Sequence, residues 1–429
     1  MEKYIIRGGR PLMGDIDVSG MKNAAVPVIL STVLLDDVCT LENLPNILDV
    51  SYSLEILQSM GATVKRLDKN TVTIDTRHVR GGSSPYDLVR KMRGSYYIMG
   101  AELGRFGCAN VGCPGGCDFG VRPIDQHIKG FRALGAQVNV DGGYLEAKTP
   151  NGLHAAHLFF DKVSVGATIN VIIAATRAKG TTVIENAARE PHVVDLANFL
   201  NSCGARISGA GTDVIKIRGV DRLYGCTYAI IPDMIEAGTY MIAAAATKGR
   251  LHIRNVIPKH LESISAKLEE MGAQIEEFDD SILVTGPASL RPTDVRTQPY
   301  PGLPTDVHPQ LCVLLCLAQG VSYLTEGVWD NRFRYVEELK RMGAQIKVDG
   351  KMAIVEGGEP LSAAPIQAVD LRAGAAVVIA ALTANGKSEI ENIYHIERGY
   401  DDLVGKLRGV GADIRRVIVP DDFSMDTAN

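Results

Sequence analysis

The 429-residue chain sets 45 lysines and arginines against 50 aspartates and glutamates, a net charge of −5, and is 46% hydrophobic. With a mean hydropathy of +0.05, it reads as a soluble globular protein, and its charge argues against nonspecific nucleic-acid binding. No apolar run approaches the roughly 18 residues of a membrane span, and the start Met1-Glu2-Lys3-Tyr4 lacks the apolar core of a signal peptide. The expectation is therefore a cytoplasmic protein, without membrane insertion, whose eight cysteines are mostly reduced.

The first predicted element is the strand 4–7, which has no complete unit of its own. Ser19-Gly20-Met21-Lys22-Asn23 then places polar groups and a lysine where an apolar helix begins at Ala24-Ala25. An amphipathic helix closes at Gly61-Ala62. Segment 113–123 holds three glycines and two prolines and reads as a loop of unusual backbone freedom. It runs into a helix whose first residue is Pro123, a favoured place for proline. That helix closes at Gly135-Ala136, followed by an alternating strand 136–140, a turn 141–143 and a strand 144–147. Lys162-Val163-Ser164-Val165-Gly166 opens a helix, apolar nearly all round over 169–176, that must be buried. A strand 181–186 and a helix ending at Gly204-Ala205 follow.

The second half repeats this order. A buried helix over 240–247 precedes the stripe Leu261, Ile264, Leu268 and Met271, which ends at Gly272-Ala273. Pro304-Thr305-Asp306 opens the buried helix 311–318, and Val336, Leu339 and Met342 lead to Gly343-Ala344. Asp370-Leu371-Arg372 opens the buried helix 373–384, and Gly411-Ala412 closes the last amphipathic helix. Residues 421–429 read as a frayed tail.

The six Gly-Ala pairs are spaced by 74, 69, 68, 71 and 68 residues. Each unit reads strand, buried helix, strand, exposed helix, strand, strand, so one structural unit is used six times. About 70 residues is small for an independent core, and three units make a domain of about 210 residues. The predicted fold class is thus α/β, with two domains: 22–231, and 1–21 plus 232–429, the second completed by the N-terminal strand. The chain would cross between domains near 20–22 and 230–232, and a cleft between two similar domains is a common ligand site.

Cys117 stands near a helix N-terminus and Arg122, both of which favour a thiolate; the bland alternative is a small apolar residue in a surface turn. Cys108, Cys113 and Cys117 lack a paired C-x-x-C, with only His127 nearby, so no metal is expected. A Cys113–Cys117 disulfide is disfavoured by the compartment. Lysines and small residues at the helix starts 19–23 and 162–166, with Arg93 and Arg122, suggest a polyanionic ligand. Asp306 is either a functional carboxylate or a helix N-cap. Arg332 and Arg398 lie at strand-to-helix junctions of later units.

These motifs, from Ser19-Gly20-Met21-Lys22-Asn23 through Pro114-Gly115-Gly116-Cys117, Arg122-Pro123-Ile124-Asp125, Pro304-Thr305-Asp306, Asn331-Arg332-Phe333, Asp370-Leu371-Arg372-Ala373 and His395-Ile396-Glu397-Arg398-Gly399-Tyr400, come in one order. Over about residues 1–417 the chain resembles the UDP-N-acetylglucosamine 1-carboxyvinyltransferase family of enolpyruvyl transferases. The resemblance implies a two-domain inside-out α/β barrel built from six βαβαββ-like repeats. It implies enolpyruvyl transfer from phosphoenolpyruvate to UDP-N-acetylglucosamine, the first committed step of peptidoglycan synthesis, without metal or organic cofactor. Lys22, Asn23, Arg93, Arg122 and Arg398 would surround phosphoenolpyruvate. Arg122, Pro123, Ile124, Asp125, Gln126, Lys162, Val163, Ser164, Val165, Asp306 and Val328 would hold the nucleotide sugar, with Arg332 a further substrate-binding candidate. Cys117 would donate a proton and be the target of fosfomycin, Asp306 would act as base, and Asp370 would assist elimination. Lys22 and Arg398 complete the expected catalytic set; no protein partner is specified.

The chain departs from that family's usual residues at four positions. Cys113 replaces leucine, Met234 arginine, His308 glutamine and Asp330 glutamate. His308, two residues after Asp306, is expected to perturb that carboxylate. Two rival functions remain: the shikimate-pathway enolpyruvyl transferase, and a catalytically weak UDP-sugar-binding regulatory paralogue.

Overall fold

The computed structural model describes residues 2–81, 86–89, 91–112, 124–141 and 143–418. Within it the six Gly-Ala pairs are one device repeated. Gly61, Gly135, Gly204, Gly272, Gly343 and Gly411 all have φ between 92° and 105°, the left-handed region that glycine enters without a Cβ penalty. At each, two backbone bonds close the helix, as where Gly343 N–H reaches the Lys340 carbonyl at 2.9 Å and Ala344 N–H the Leu339 carbonyl at 3.1 Å. This is the paired-bond cap that satisfies the last carbonyls of a helix. The alanines are 5–9% exposed, which explains why a small apolar residue follows each glycine.

Six apolar helices form the interior. Lys22–Ser31, Tyr97–Phe106 and Val165–Ala175 belong to one unit, and Met234–Ala246, His308–Leu317 and Leu371–Thr383 to the other. All thirteen residues of Met234–Ala246 are buried. Around the helices stand six sheets, five of four strands and one of three among the described residues. One sheet shows the common plan: His157–Phe159 lies parallel to Thr181–Glu185, which pairs antiparallel with Val214–Arg218, which pairs with Arg206–Ser208. Thr182, Ile184, Ile215 and Ile217 face inward and their neighbours outward, the alternation of a sheet with one covered face. Helices inside and half-buried sheets outside make each unit an inside-out α/β barrel of three repeats.

The start of the chain repairs its end. Glu2–Arg7 lies between Lys387–Glu391 and Asp413–Ile418, antiparallel to both, with Ile6 opposite Ser388 and Ile414. Met13–Asp17 supplies the parallel edge strand for Arg250–Arg254, and Thr227–Ala229 does so for Val38–Glu42.

The units are Met1–Val18 with Met234–Gln298 and Leu303–Asn429, and Ser19–Asp233 with Pro299–Gly302. The breaks fall between 18 and 19 and between 233 and 234, where the repeat period suggested 21/22 and 231/232. Segment Pro299–Gly302 joins the other unit, where Tyr300 N–H reaches Glu190 Oε1 at 3.4 Å. At the crossing, Gly20 bridges Pro232. A Cβ on Gly20 would lie 1.7 Å from the Asn43 carbonyl oxygen, so only glycine fits. No described helix is long and apolar enough to cross a membrane.

Candidate active-site residues in each unit

In the unit Ser19–Asp233, Lys22 is the first residue of its helix, and its Nζ lies 2.9 Å from Asp49 Oδ2. Asp49 is 2% exposed. Lys22 N–H also points at Asp233 Oδ2, at 3.4 Å. A buried carboxylate thus fixes a cation at a helix N-terminus, where the backbone already favours anions. Asn23 follows, half-buried on the same first turn. Arg93 opens the short turn Arg93–Tyr96. Cys117, Arg122, Pro123 and Cys113 lie outside the described residues.

Two more helix starts meet beside them in sequence. Ile124 precedes the helix Asp125–Ala133, and Ser164 precedes Val165–Ala175 and caps it, its Oγ accepting from Ala167 N–H at 3.3 Å. A Cβ on Gly166 would lie 3.0 Å from His127 Nε2, so the first turns are in close contact. Asn170 ties them further, with Nδ2 3.1 Å from His127 Nδ1 and 2.9 Å from the Tyr96 carbonyl. Gln126, 4% exposed, donates to Asp125 Oδ2 at 2.7 Å and accepts from Asp161 N–H at 3.1 Å. The Gln126 amide, helped by the Lys162 charge, holds the Asp125 carboxyl below its usual range. Lys162 and Val163 are exposed just before Ser164. Two adjoining N-termini with a lysine beside them concentrate positive potential, which favours anions.

In the other unit the carboxylate of Asp306 is clasped by buried cations. Arg372 Nε and Nη2 each lie 3.1 Å from Asp306 Oδ2, and Arg332 Nη2 lies 3.8 Å from Oδ1. Both arginine side chains are 4% exposed and that of Asp306 is 30% exposed. Asp306 sits inside the turn Thr305–Val307, whose N-cap is Pro304, so the helix-cap alternative gives way to an ion-paired carboxylate open to solvent. Asp370 is the cap instead: its Oδ1 accepts from Arg372 N–H at 2.8 Å and Ala373 N–H at 3.0 Å. It thereby fixes the residue that holds Asp306. Arg398 ends the helix Tyr394–Glu397 and is half-buried.

Glu326, 1% exposed, was not anticipated. Its Oε1 accepts from Val328 N–H at 2.7 Å and Trp329 N–H at 2.9 Å, and its Oε2 from Thr305 Oγ1 at 2.9 Å. One carboxylate joins the turn carrying Asp306 to the loop carrying Val328. Arg372 was also missed, although its Asp-Leu-Arg triplet was noted as a helix start.

His308 does not act on Asp306 as a charge. It is fully buried, and desolvation, then the Arg332 charge, push its pKa well below the usual histidine value, so the ring is neutral. Its Nδ1 lies 3.2 Å from Tyr335 Oη, and its Nε2 3.9 Å from Glu326 Oε2. Asp330 is at the surface, 2.8 Å from Lys351 Nζ. Met234 is buried at its helix start.

A second repeated device marks where the loops differ. After the strands Val38–Glu42, Thr181–Glu185, Arg250–Arg254 and Lys387–Glu391 come Asn43, Asn186, Asn255 and Asn392, each with φ between 54° and 58°. Asn43 Nδ2 donates to the Ile230 carbonyl at 2.8 Å, Asn186 to Phe160 at 2.8 Å and Asn255 to Val18 at 2.6 Å. The two equivalent strands without this asparagine are Cys108–Gly112 and Val321–Thr325, followed by Cys113 and Glu326. In sequence, Cys117 follows the first of these strands and Val328 the second.

Two units of three repeats, sheets outside and apolar helices inside, define the enolpyruvyl-transferase fold class. The chain belongs to the EPSP synthase (3-phosphoshikimate 1-carboxyvinyltransferase) family, whose model matches residues 6–407. It is 52% identical over 417 residues to UDP-N-acetylglucosamine 1-carboxyvinyltransferase 3 of Caldanaerobacter subterraneus subsp. tengcongensis, covering 97% of this chain and 100% of that protein. It is 53% identical over 418 residues to UDP-N-acetylglucosamine 1-carboxyvinyltransferase of Clostridium botulinum, with the same coverage. The crystal structure of the enolpyruvyl transferase NikO from Streptomyces tendae matches with a TM-score of 0.88 at 26% identity, over 98% of this chain and 99% of that one. EPSP synthase from Acinetobacter baumannii matches at 0.75 and 18% identity, over 97% of this chain and 100% of that one, a likeness of fold alone.

Proposed function

We propose that the protein transfers the enolpyruvyl group of phosphoenolpyruvate to the 3-hydroxyl of UDP-N-acetylglucosamine and releases phosphate. The observation that carries this is identity of 52–53% across 97% of the chain to proteins named for that reaction. Identity to the Acinetobacter EPSP synthase is 18%.

The residue chemistry suits the reaction. Phosphoenolpyruvate is a polyanion, met in this reading by Lys22, Asn23, Arg93, Arg122 and Arg398. The nucleotide sugar takes the helix starts at 122–126 and 162–165 together with Asp306, Val328 and Arg332. Cys117 donates a proton to the methylene carbon, which makes the adjacent carbon electrophilic. The sugar oxygen bonds to that carbon as Asp306 takes its proton. Arg372 and Arg332 hold Asp306 for this step, and Asp370 acts through Arg372. The addition product then returns a methyl proton to the Cys117 thiolate and releases its phosphate, which restores the double bond.

A phosphate-release assay with phosphoenolpyruvate tests the proposal, with UDP-N-acetylglucosamine and shikimate 3-phosphate offered separately. Release is expected with the nucleotide sugar alone. Release with shikimate 3-phosphate instead would assign the other branch of the family, and release with neither would leave a binding protein.

A further inference from the structure

Three cysteines to which no chemistry has been assigned meet in the unit Ser19–Asp233. Cys39 lies on the strand Val38–Glu42, Cys203 ends the helix Pro191–Ser202, and Cys226 precedes the strand Thr227–Ala229. All three are free thiols. The sulfurs of Cys203 and Cys226 are 3.4 Å apart, and Cys39 also hydrogen-bonds to Cys226. Backbone bonds hold the arrangement: Thr40 N–H reaches the Cys226 carbonyl at 2.9 Å, and Tyr224 N–H the Cys203 carbonyl at 2.8 Å. Among the described residues no such groups are arranged to hold a metal ion, so the trio stands as thiols.

We propose that Cys226 and Cys203 form a thiol-oxidation site, which hydroperoxides close reversibly to a Cys203–Cys226 disulfide. A disulfide needs its sulfurs at about 2.05 Å, so the pair must close by roughly 1.4 Å, within reach of small χ rotations. The two roles differ by environment. Cys203 and Cys39 are each 1% exposed, whereas Cys226 is half-buried and open to a small oxidant. Hydrogen bonds with the Cys203 and Cys39 thiols lower the pKa of Cys226 against the effect of burial. The same bond to Cys226, together with burial, raises the pKa of Cys203. Cys226 is therefore the attacking thiolate and Cys203 the resolving thiol.

In the first step the Cys226 thiolate sulfur bonds to one oxygen of hydrogen peroxide, the O–O bond breaks, and the second oxygen leaves as hydroxide, which becomes water by taking back from solvent the proton that the thiol released. Cys226 is then a sulfenic acid. In the second step the Cys203 sulfur bonds to the Cys226 sulfur, the S–O bond breaks, and the hydroxyl leaves as water with the Cys203 proton. Two thiols lose two electrons, and one peroxide becomes two waters.

Tryptic mapping of the full chain reads this directly, because the three cysteines fall in separate peptides, 23–65, 190–206 and 223–248. After peroxide, alkylation and digestion without reductant, 190–206 should appear joined to 223–248, and dithiothreitol should separate them. Cys226→Ser should abolish the link and Cys39→Ser should retain it. In Cys203→Ser, dimedone should trap sulfenic acid on Cys226. The proposal is overturned if the wild-type peptides stay separate while other thiols in the sample are oxidised. A link from 23–65 to 223–248 in place of 190–206 would also overturn it. The wild-type map decides the question even if a variant folds poorly.

Discussion

At the scale of single residues, Asp306 combines a solvent-facing carboxylate with two buried guanidinium partners. Asp306→Asn keeps the shape but cannot accept the sugar proton as a carboxylate does. Turnover should fall roughly a hundred- to ten-thousand-fold, with the KM for UDP-N-acetylglucosamine much less affected. The same change takes the Asp306 charge away from Arg372 and Arg332, so the thermal midpoint should also drop. Near-normal turnover with a lowered midpoint would reduce Asp306 to a structural partner. Asp306 stands out in sequence as a candidate because Pro-Thr-Asp is contiguous. Its partner Arg372 is 66 residues away, and no local pattern connects them. Asp195 offers a pH-dependent readout. It is 1% exposed, Tyr228 Oη donates to its Oδ1 at 2.6 Å, and burial pushes its pKa from 3.8 up to about 6. Between those values the folded state holds more protons than the unfolded state, so this group's contribution to stability falls as pH rises through the window. Asp195→Asn should remove that slope, which amounts to about 1.4 kcal/mol for each step of one in pH inside the window. Urea midpoints for both proteins from pH 4 to 7 would check it, and parallel profiles would refute it. The slope is the readout, since a buried amide also changes stability by a constant amount.

At the scale of elements, the glycine caps were readable because every bond of the device falls within six residues. Gly343 isolates its energetics: φ is 95°, and nothing lies within 4 Å of an added Cβ. Gly343→Ala should therefore cost only backbone strain, about 1–2 kcal/mol, and lower the midpoint by about 2–4 °C per kcal/mol. Calorimetry would measure this, and an unchanged midpoint would mean the cap relaxes elsewhere. The asparagine turns escaped notice for the opposite reason. Asn43, Asn186 and Asn255 bond to carbonyls 187, 26 and 237 residues away, so the sequence shows only an asparagine after a strand. That omission mattered for the site. Two of the six strands lack this asparagine, and after one of them Glu326 takes its place, accepting from Val328 and Trp329 N–H. Reading the asparagine as a repeat marker would have pointed to Cys113 and Glu326 as the places where the pattern changes.

At the scale of the whole molecule, the period of about 70 residues was enough to place three repeats in each unit and to assign the N-terminal strand to the last. Segment Pro299–Gly302 was not legible, because a four-residue excursion leaves no mark on a repeat length. The interrupted chain makes a prediction about cooperativity. Glu2–Arg7 is an interior strand with ladders on both sides, and its Tyr4, Ile5 and Ile6 are 2%, 6% and 0% exposed. Every pairing of that strand lies in the unit that also contains Trp329, the single tryptophan. Ile6→Ala removes buried methyl groups at a cost of about 2–5 kcal/mol. The denaturation midpoint followed by Trp329 fluorescence should fall accordingly. The amides of Val165–Ala175, a helix of the other unit, should keep their hydrogen-exchange protection, because residues 2–7 belong to a different compact unit. Loss of protection there in step with the fluorescence change would mean that the two units unfold as one cooperative block. Unchanged fluorescence would mean that the first strand is dispensable to the sheet it completes.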